Sequence, residues 1–146
     1  QFPGGLTYSG HPLACASAAA SIKIFEEEGI VENARRLGND IIGPALQELK
    51  AKHPSVGDVR GLGVFWAIEL VKSRSTREPL VPFNASGPAA APMNEGIAAC
   101  KSKGLWPFTH FNRMHVVPPL TIPDDELRQG LAIIDEVLTV ADKYAA

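Results

Sequence analysis

The chain has 146 residues, 45% of them hydrophobic and 21% charged, which is enough apolar side chain for one domain with its own core. A formal net charge of −2, with no polybasic run, excludes an electrostatic footprint for nucleic acid or a membrane surface. No apolar stretch approaches the ~20 residues a membrane helix needs, and Cys15 and Cys100 stand apart without a ligand or disulfide spacing, as in a reduced, cytoplasmic protein.

The first element is a loop rich in glycine and hydroxyls, with Gly5, Thr7, Ser9 and Gly10, that runs into Pro12. Proline suits the first turn of a helix, where its missing N–H loses nothing. The helix it opens is expected from Pro12 to about Glu28, and its first two turns are nearly all small residues, so another backbone can come close. Unpaired N–H groups and the positive dipole end point back at the loop and make an anion site, with the Thr7 and Ser9 hydroxyls beside it. Gly29 is the expected break. A second helix follows from Val31 to Lys52, with Val31, Leu37, Ile41, Leu46 and Leu49 on one buried stripe. Pro44 lies inside it and predicts a kink, because its ring meets the carbonyl of Asp40. Pro54 ends the element, and His53 reads as a solvated residue at the helix end.

Val56 to Val71 reads as a strand region, and Gly57, Gly61 and Gly63 mark a bulge or a close backbone approach. Its run from Val64 to Val71 is almost continuously apolar, as in a strand buried on both faces. Residues 72–92 read as a long exposed excursion and a candidate flap. Met93 to Lys103 predicts a short helix stopped by Gly104. Two strands are expected at Leu105–Thr109 and Met114–Val117, ended by Pro118-Pro119. Thr121 and Asp124 have the spacing of a capping box. Leu127, Leu131, Ile134, Leu138 and Ala141 then give the last helix a clean apolar stripe. The order predicts an α/β small domain, α+β in character, with helices on one face of a short sheet.

Four segments carry a resemblance, in order along the chain: Thr7 through Ala16 (TYSGHPLACA), Asp58 through Gly63 (DVRGLG), Gly104-Leu105-Trp106, and His115 through Thr121 (HVVPPLT). Together they resemble the C-terminal part of class III, omega-type aminotransferases, enzymes of fold-type I that depend on pyridoxal 5'-phosphate. The resemblance implies that residues 1–11 form a cofactor-phosphate loop from the end of a large domain and that residues 12–146 form the small domain. It implies that Thr7 binds the cofactor phosphate in the partner subunit's site of a homodimer, with backbone N–H groups near Ser9 and Gly10 helping.

Such enzymes hold the cofactor covalently through a lysine and pair its pyridine nitrogen with an aspartate. None of the seven lysines here (Lys23, Lys50, Lys52, Lys72, Lys101, Lys103 and Lys143) has that context, and all read as surface residues. The expectation is therefore a C-terminal fragment, inactive alone, without a catalytic residue of its own. The implied activity moves an amino group from an amine or ω-amino acid to a 2-oxo acid. Racemase, aminomutase or decarboxylase chemistry in the same class, and a non-catalytic binding or assembly module, are the alternatives.

Many relatives carry an arginine three residues before the proline at Pro118, where it binds the substrate α-carboxylate as a bidentate pair. His115 stands there instead, with Arg113 two residues earlier and on the same strand face. One reading gives Arg113 the anion with His115 beside it, which suits a displaced acid group such as that of an ω-amino acid or an aminosulfonate. The other has Arg113 capping a turn and His115 packed in the sheet. The glycines at 61 and 63 lack the dinucleotide spacing and precede a strand, so Arg60 is read as structural, pairing with Asp58 or Glu69. Trp66, Trp106 and Phe108 are read as core, with a substrate-pocket lining by Trp106 or Phe108 as the alternative. His110 and His115 have no carboxylate or cysteine at ligand spacing, so no metal site is expected.

Overall fold

The computed structural model describes Gly4, Gly5 and residues 7–146. Pro12 opens α1 (Pro12–Glu27), and Gly29, with φ +59°, separates it from α2 (Ile30–Arg36). A glycine takes this left-handed conformation without strain, so one helix ends there and the next begins. α1 carries no buried residue: Leu13, Ile22, Ile24 and Phe25 all face outward.

The expected kink at Pro44 takes another form. α2 runs into a π-helical segment at Leu37–Ile42, and α3 (Gly43–Lys52) continues from it. A proline removes the bond to the carbonyl four residues back and crowds it. The wider π turn avoids that conflict, because the Gly43 N–H reaches back five residues to the Gly38 carbonyl. Packing requires glycine at position 38. A Cβ there would lie 2.2 Å from the Gly63 carbonyl oxygen, which belongs to the turn of the following hairpin.

That hairpin joins β1 (Val56–Leu62) to β2 (Phe65–Ser73), with a register shift between Val56 and Asp58 at the bulge expected around Gly57. β2 also pairs antiparallel with β5 (Arg113–Val116), and β4 (Phe108–His110) lies outside β5. The short β3 (Glu78–Pro79) pairs with the end of β2. Side chains alternate across the sheet. Ile68, Leu70, Met114 and Val116 point inward and share a core with Leu37, Ile42 and Leu46, with Cys100 of α4 (Ala91–Ser102), and with Leu131, Ile134 and Leu138 of α5 (Asp124–Asp142). Helices thus cover one face of the sheet, as expected.

The other face is open, which corrects the reading of β2 as buried on both sides: Phe65 is 61% exposed. Trp106 and Phe108 are exposed as well, at 80% and 64%, and neither is core. Lys101 Nζ covers the Trp106 ring at 4.0 Å. Trp66 is half-buried and donates its indole N–H to the Gly63 carbonyl at 2.7 Å. The segment 72–92 is no free flap. β3 ties it to β2, and Leu80 and Val81 are buried, with the Leu80 N–H donating to the Leu70 carbonyl at 3.0 Å. The apolar stripe of α5 is buried as expected, joined by Val137, but Thr121 does not cap the helix. Pro123 holds the N-cap position without a side-chain bond, and Asp124, Asp125 and Glu126 in the first turn offset the helix dipole instead.

His53 departs furthest from its expected solvated state: it is 2% exposed. Nδ1 lies 2.6 Å from Asp142 Oδ2 and Nε2 lies 2.7 Å from Asp135 Oδ1, while Ser55 donates its hydroxyl to Asp142 Oδ1 at 2.6 Å. The end of α3 is thereby fastened to α5 by an internal polar cluster.

Candidate functional site

Thr7, Ser9 and Gly10 lie in one exposed turn. The His11 N–H donates to the Tyr8 carbonyl at 3.0 Å, and Gly10 has φ +76° at the third position, where a side chain would be strained. His11 occupies the N-cap of α1 without a side-chain cap bond. The first helical bond runs from the Cys15 N–H to the His11 carbonyl at 2.9 Å, so the N–H groups of Leu13 and Ala14 ahead of it have no acceptor within the helix. Thr7 and Ser9, both hydroxyl-bearing, therefore stand within five residues of Pro12, the start of a 16-residue helix with unpaired backbone donors and a positive end. That donor set fits a phosphate group.

Arg113 and His115 project from β5 onto the open face of the sheet. Cross-strand register places Asp58, Glu69, Arg113 and His110 in one row over β1, β2, β5 and β4, and Arg60, Ala67, His115 and Phe108 in the next. His115 sits between the rings of Phe65 and Phe108, at 5.9 and 5.1 Å between centroids. Its Nδ1 is buried without a hydrogen-bond partner. Burial, and then the charge of Arg113, lowers its pKa below the ordinary imidazole value, which favours a neutral ring.

Arg113 makes no ion pair among the described residues. Its Nη2 lies 3.2 Å from His110 Nδ1. Arg60 pairs with both expected carboxylates, at 2.6 Å to Glu69 and 3.2 Å to Asp58. The Glu69 bond raises the Arg60 pKa, and Lys50, 2.9 Å from Asp58, holds that carboxyl below its usual range.

Beside the charged row opens a cavity of about 290 Å³ lined by Arg60, Glu69, Arg77, Phe83, Phe111 and Arg113, among others. Arg77 and Phe111 were invisible as site residues in the sequence. Both have positive φ, +60° and +55°, a conformation rare for residues with a side chain. Asn112 pins this edge: its side-chain amide donates to the Leu70 carbonyl at 2.8 Å, and the Leu70 N–H returns a bond to the Asn112 carbonyl. No hydrogen bond, ion pair or ring contact among the described residues joins the Thr7 turn to Arg113 and His115.

The family model for class-III aminotransferases matches residues 3–138. The chain is 40% identical over 139 residues to the 5-aminovalerate aminotransferase DavT of Pseudomonas aeruginosa, a match covering 92% of this chain and 30% of that protein. It is 37% identical to the 4-aminobutyrate aminotransferase GabT of Escherichia coli, with the same coverage. Among solved structures, the taurine:2-oxoglutarate aminotransferase of Bifidobacterium kashiwanohense, in complex with pyridoxal phosphate and glutamate, superposes with a TM-score of 0.84 at 32% identity, over 97% of this chain and 31% of that one. The chain belongs to the class-III aminotransferase family, and it spans about 30% of the length of the relatives it matches.

Proposed function

We propose that the chain is the C-terminal part of a pyridoxal 5'-phosphate-dependent aminotransferase, acting as a cytoplasmic homodimer. It moves an amino group from an amine or ω-amino acid, aminosulfonates included, to a 2-oxo acid. Residues 1–11 form the phosphate loop and residues 12–146 the small domain. The Thr7 hydroxyl and the backbone N–H groups around Ser9 and Gly10 bind the phosphate of the partner subunit's cofactor, aided by the α1 dipole.

When bound, the cofactor supplies an electron sink for the reacting carbon. Its covalent lysine and the aspartate on its ring nitrogen come from residues outside this chain. Arg113 takes the substrate's acid group through its fork of N–H donors. His115, held neutral, stands beside it as a polar but uncharged wall, and Phe65 and Phe108 shield that side from water.

The observation that supports this reading best is the turn at Thr7–Gly10, which carries the hydroxyl residues Thr7 and Ser9 directly ahead of the unpaired backbone donors at the start of α1. The test uses the full gene product that carries these residues. Amino transfer is assayed with 4-aminobutyrate, 5-aminovalerate and taurine as donors, and with 2-oxoglutarate and pyruvate as acceptors. Thr7→Ala is expected to weaken cofactor retention about ten-fold or more, the scale of a lost hydrogen bond to a charged group, with the fold intact. Unchanged retention refutes the phosphate role. A loaded enzyme that transfers no amino group to any 2-oxo acid refutes the reaction.

A further inference from the structure

Glu69 stands directly opposite Arg113 across the β2–β5 ladder. Directly opposed residues of opposite charge ordinarily join, since their Cβ atoms are only about 5 Å apart. These two do not. Glu69 Oε2 lies 2.6 Å from Nη1 of Arg60, one row along and on the other side of β2, while Arg113 leans the opposite way onto His110. Arg60 is in turn fixed by Asp58, and Asp58 by Lys50, so the four form one chain of alternating charge. Arg113 is left outside that chain and, with Arg77, lines the 290 Å³ cavity without an ion pair among the described residues.

We propose that Arg60 is a positioning residue: by engaging Glu69 it keeps Arg113 uncommitted and available to an anionic group in the adjacent cavity. The inference rests on the assignment of Arg113 made above. An arginine already paired with a neighbour must surrender that pair before it can take a ligand. Without Arg60, the Glu69 carboxylate is released beside its register partner Arg113. The substrate's acid group then competes with an internal carboxylate. For a partly exposed cross-strand pair, that competition raises KM about two- to five-fold and leaves kcat unchanged.

The test is a double-mutant cycle in the full enzyme. It compares wild type, Arg60→Ala, Glu69→Gln and the double variant, with Arg113→Ala as reference and 5-aminovalerate and propylamine as donors. KM for 5-aminovalerate is expected to rise in Arg60→Ala and to return close to the wild-type value in the double variant, so that Glu69→Gln lowers KM more in the Arg60→Ala background than in wild type. Propylamine, which has no acid group, is expected to show no such coupling. A simple field effect of the two charges lowers KM by the same factor in both backgrounds, and that result overturns the proposal, as does an unchanged KM in Arg60→Ala. If Arg113→Ala also leaves KM unchanged, the assignment of Arg113 itself falls. If Arg113→Ala raises KM while the cycle shows no coupling, only the role of Arg60 falls. Thermal melts verify folding, and Arg60→Gln, which keeps a side-chain stem without the charge, serves in place of Arg60→Ala if the latter does not fold.

Discussion

Replacing His53 with alanine measures the polar fastening between α3 and α5. The ring bridges two carboxylates, Asp142 through Nδ1 at 2.6 Å and Asp135 through Nε2 at 2.7 Å. Removing it leaves Asp135 and Asp142 without their shared hydrogen-bond partner. Breaking a fully buried pair costs about 3–5 kcal/mol. Here the survivors keep other partners: Asp135 is a third exposed and holds Lys52 at 2.7 Å, and Asp142 retains Ser55. The expected loss is therefore about 2–3 kcal/mol, or about 8 °C in the unfolding midpoint for a domain of this size. Urea unfolding of the chain, read with an unchanged m-value, gives the number. A loss below about 0.5 kcal/mol would refute the reasoning, since it would equal that of an ordinary surface change.

The same cluster predicts a pH dependence. Burial raises the Asp142 carboxyl, but the Ser55 hydroxyl and His53 outweigh it and hold it below its ordinary 3.8. Asp135 is lowered by Lys52 first and by His53 second. Carboxyls with depressed folded-state pKa values contribute stability that is present above 3.8 and lost as pH falls through the folded values. Urea midpoints should therefore drop between about pH 5 and pH 3, more steeply in wild type than in His53→Ala.

Two glycines should respond in opposite directions to alanine. At Gly38 the new Cβ meets the Gly63 carbonyl at 2.2 Å, backbone against backbone, and a loss of at least about 2 kcal/mol is expected by urea unfolding. At Gly96, inside α4, a Cβ meets nothing within 4 Å, and a gain of about 0.5 kcal/mol or more is expected. The two thiols should also separate. Cys15 is exposed, while Cys100 is buried and its thiol is pushed up by burial, so a disulfide reagent should titrate one thiol per chain quickly and the second only on unfolding.

Periodicity made the elements legible. The α5 stripe and the bulge at Gly57 emerge where local pattern places them, because one side of each element meets the core. What stayed hidden depends on partners far along the chain. Nothing near His53 announces Asp135 and Asp142, which lie more than eighty residues away and meet it only once α5 docks. Trp106 and Phe108 carry the composition of a core, yet they lie on or beside the open sheet face, which a one-dimensional hydropathy reading does not distinguish from the packed one. The helix around Pro44 failed for a local reason: the rule that proline kinks a helix assumes an i→i−4 ladder, and the chain switches to i→i−5 before reaching it. At the candidate site, Arg113 and His115 were legible as a same-face pair. The idle state of Arg113 was not, because it depends on a diagonal choice made by Glu69.

That choice follows from the two-sidedness of β5. Met114 and Val116 are buried in the core, and they fix the strand's position against the helices, while Arg113 and His115 alternate with them on the open face. Core packing therefore sets where the arginine stands, although no core residue touches it. On the open face, register and charge decide what the arginine does next. The apolar row of Leu62 and Phe65 adjoins the row of His115 and Phe108, and the charged row lies beyond it. Any surface that covers this face would shed water first from the apolar rows. An ion pair formed by Arg113 at the edge of that drying zone strengthens as the local dielectric falls. The internal competition from Glu69 would strengthen by the same physics, so a diverting partner such as Arg60 would matter more on a covered face than on an open one.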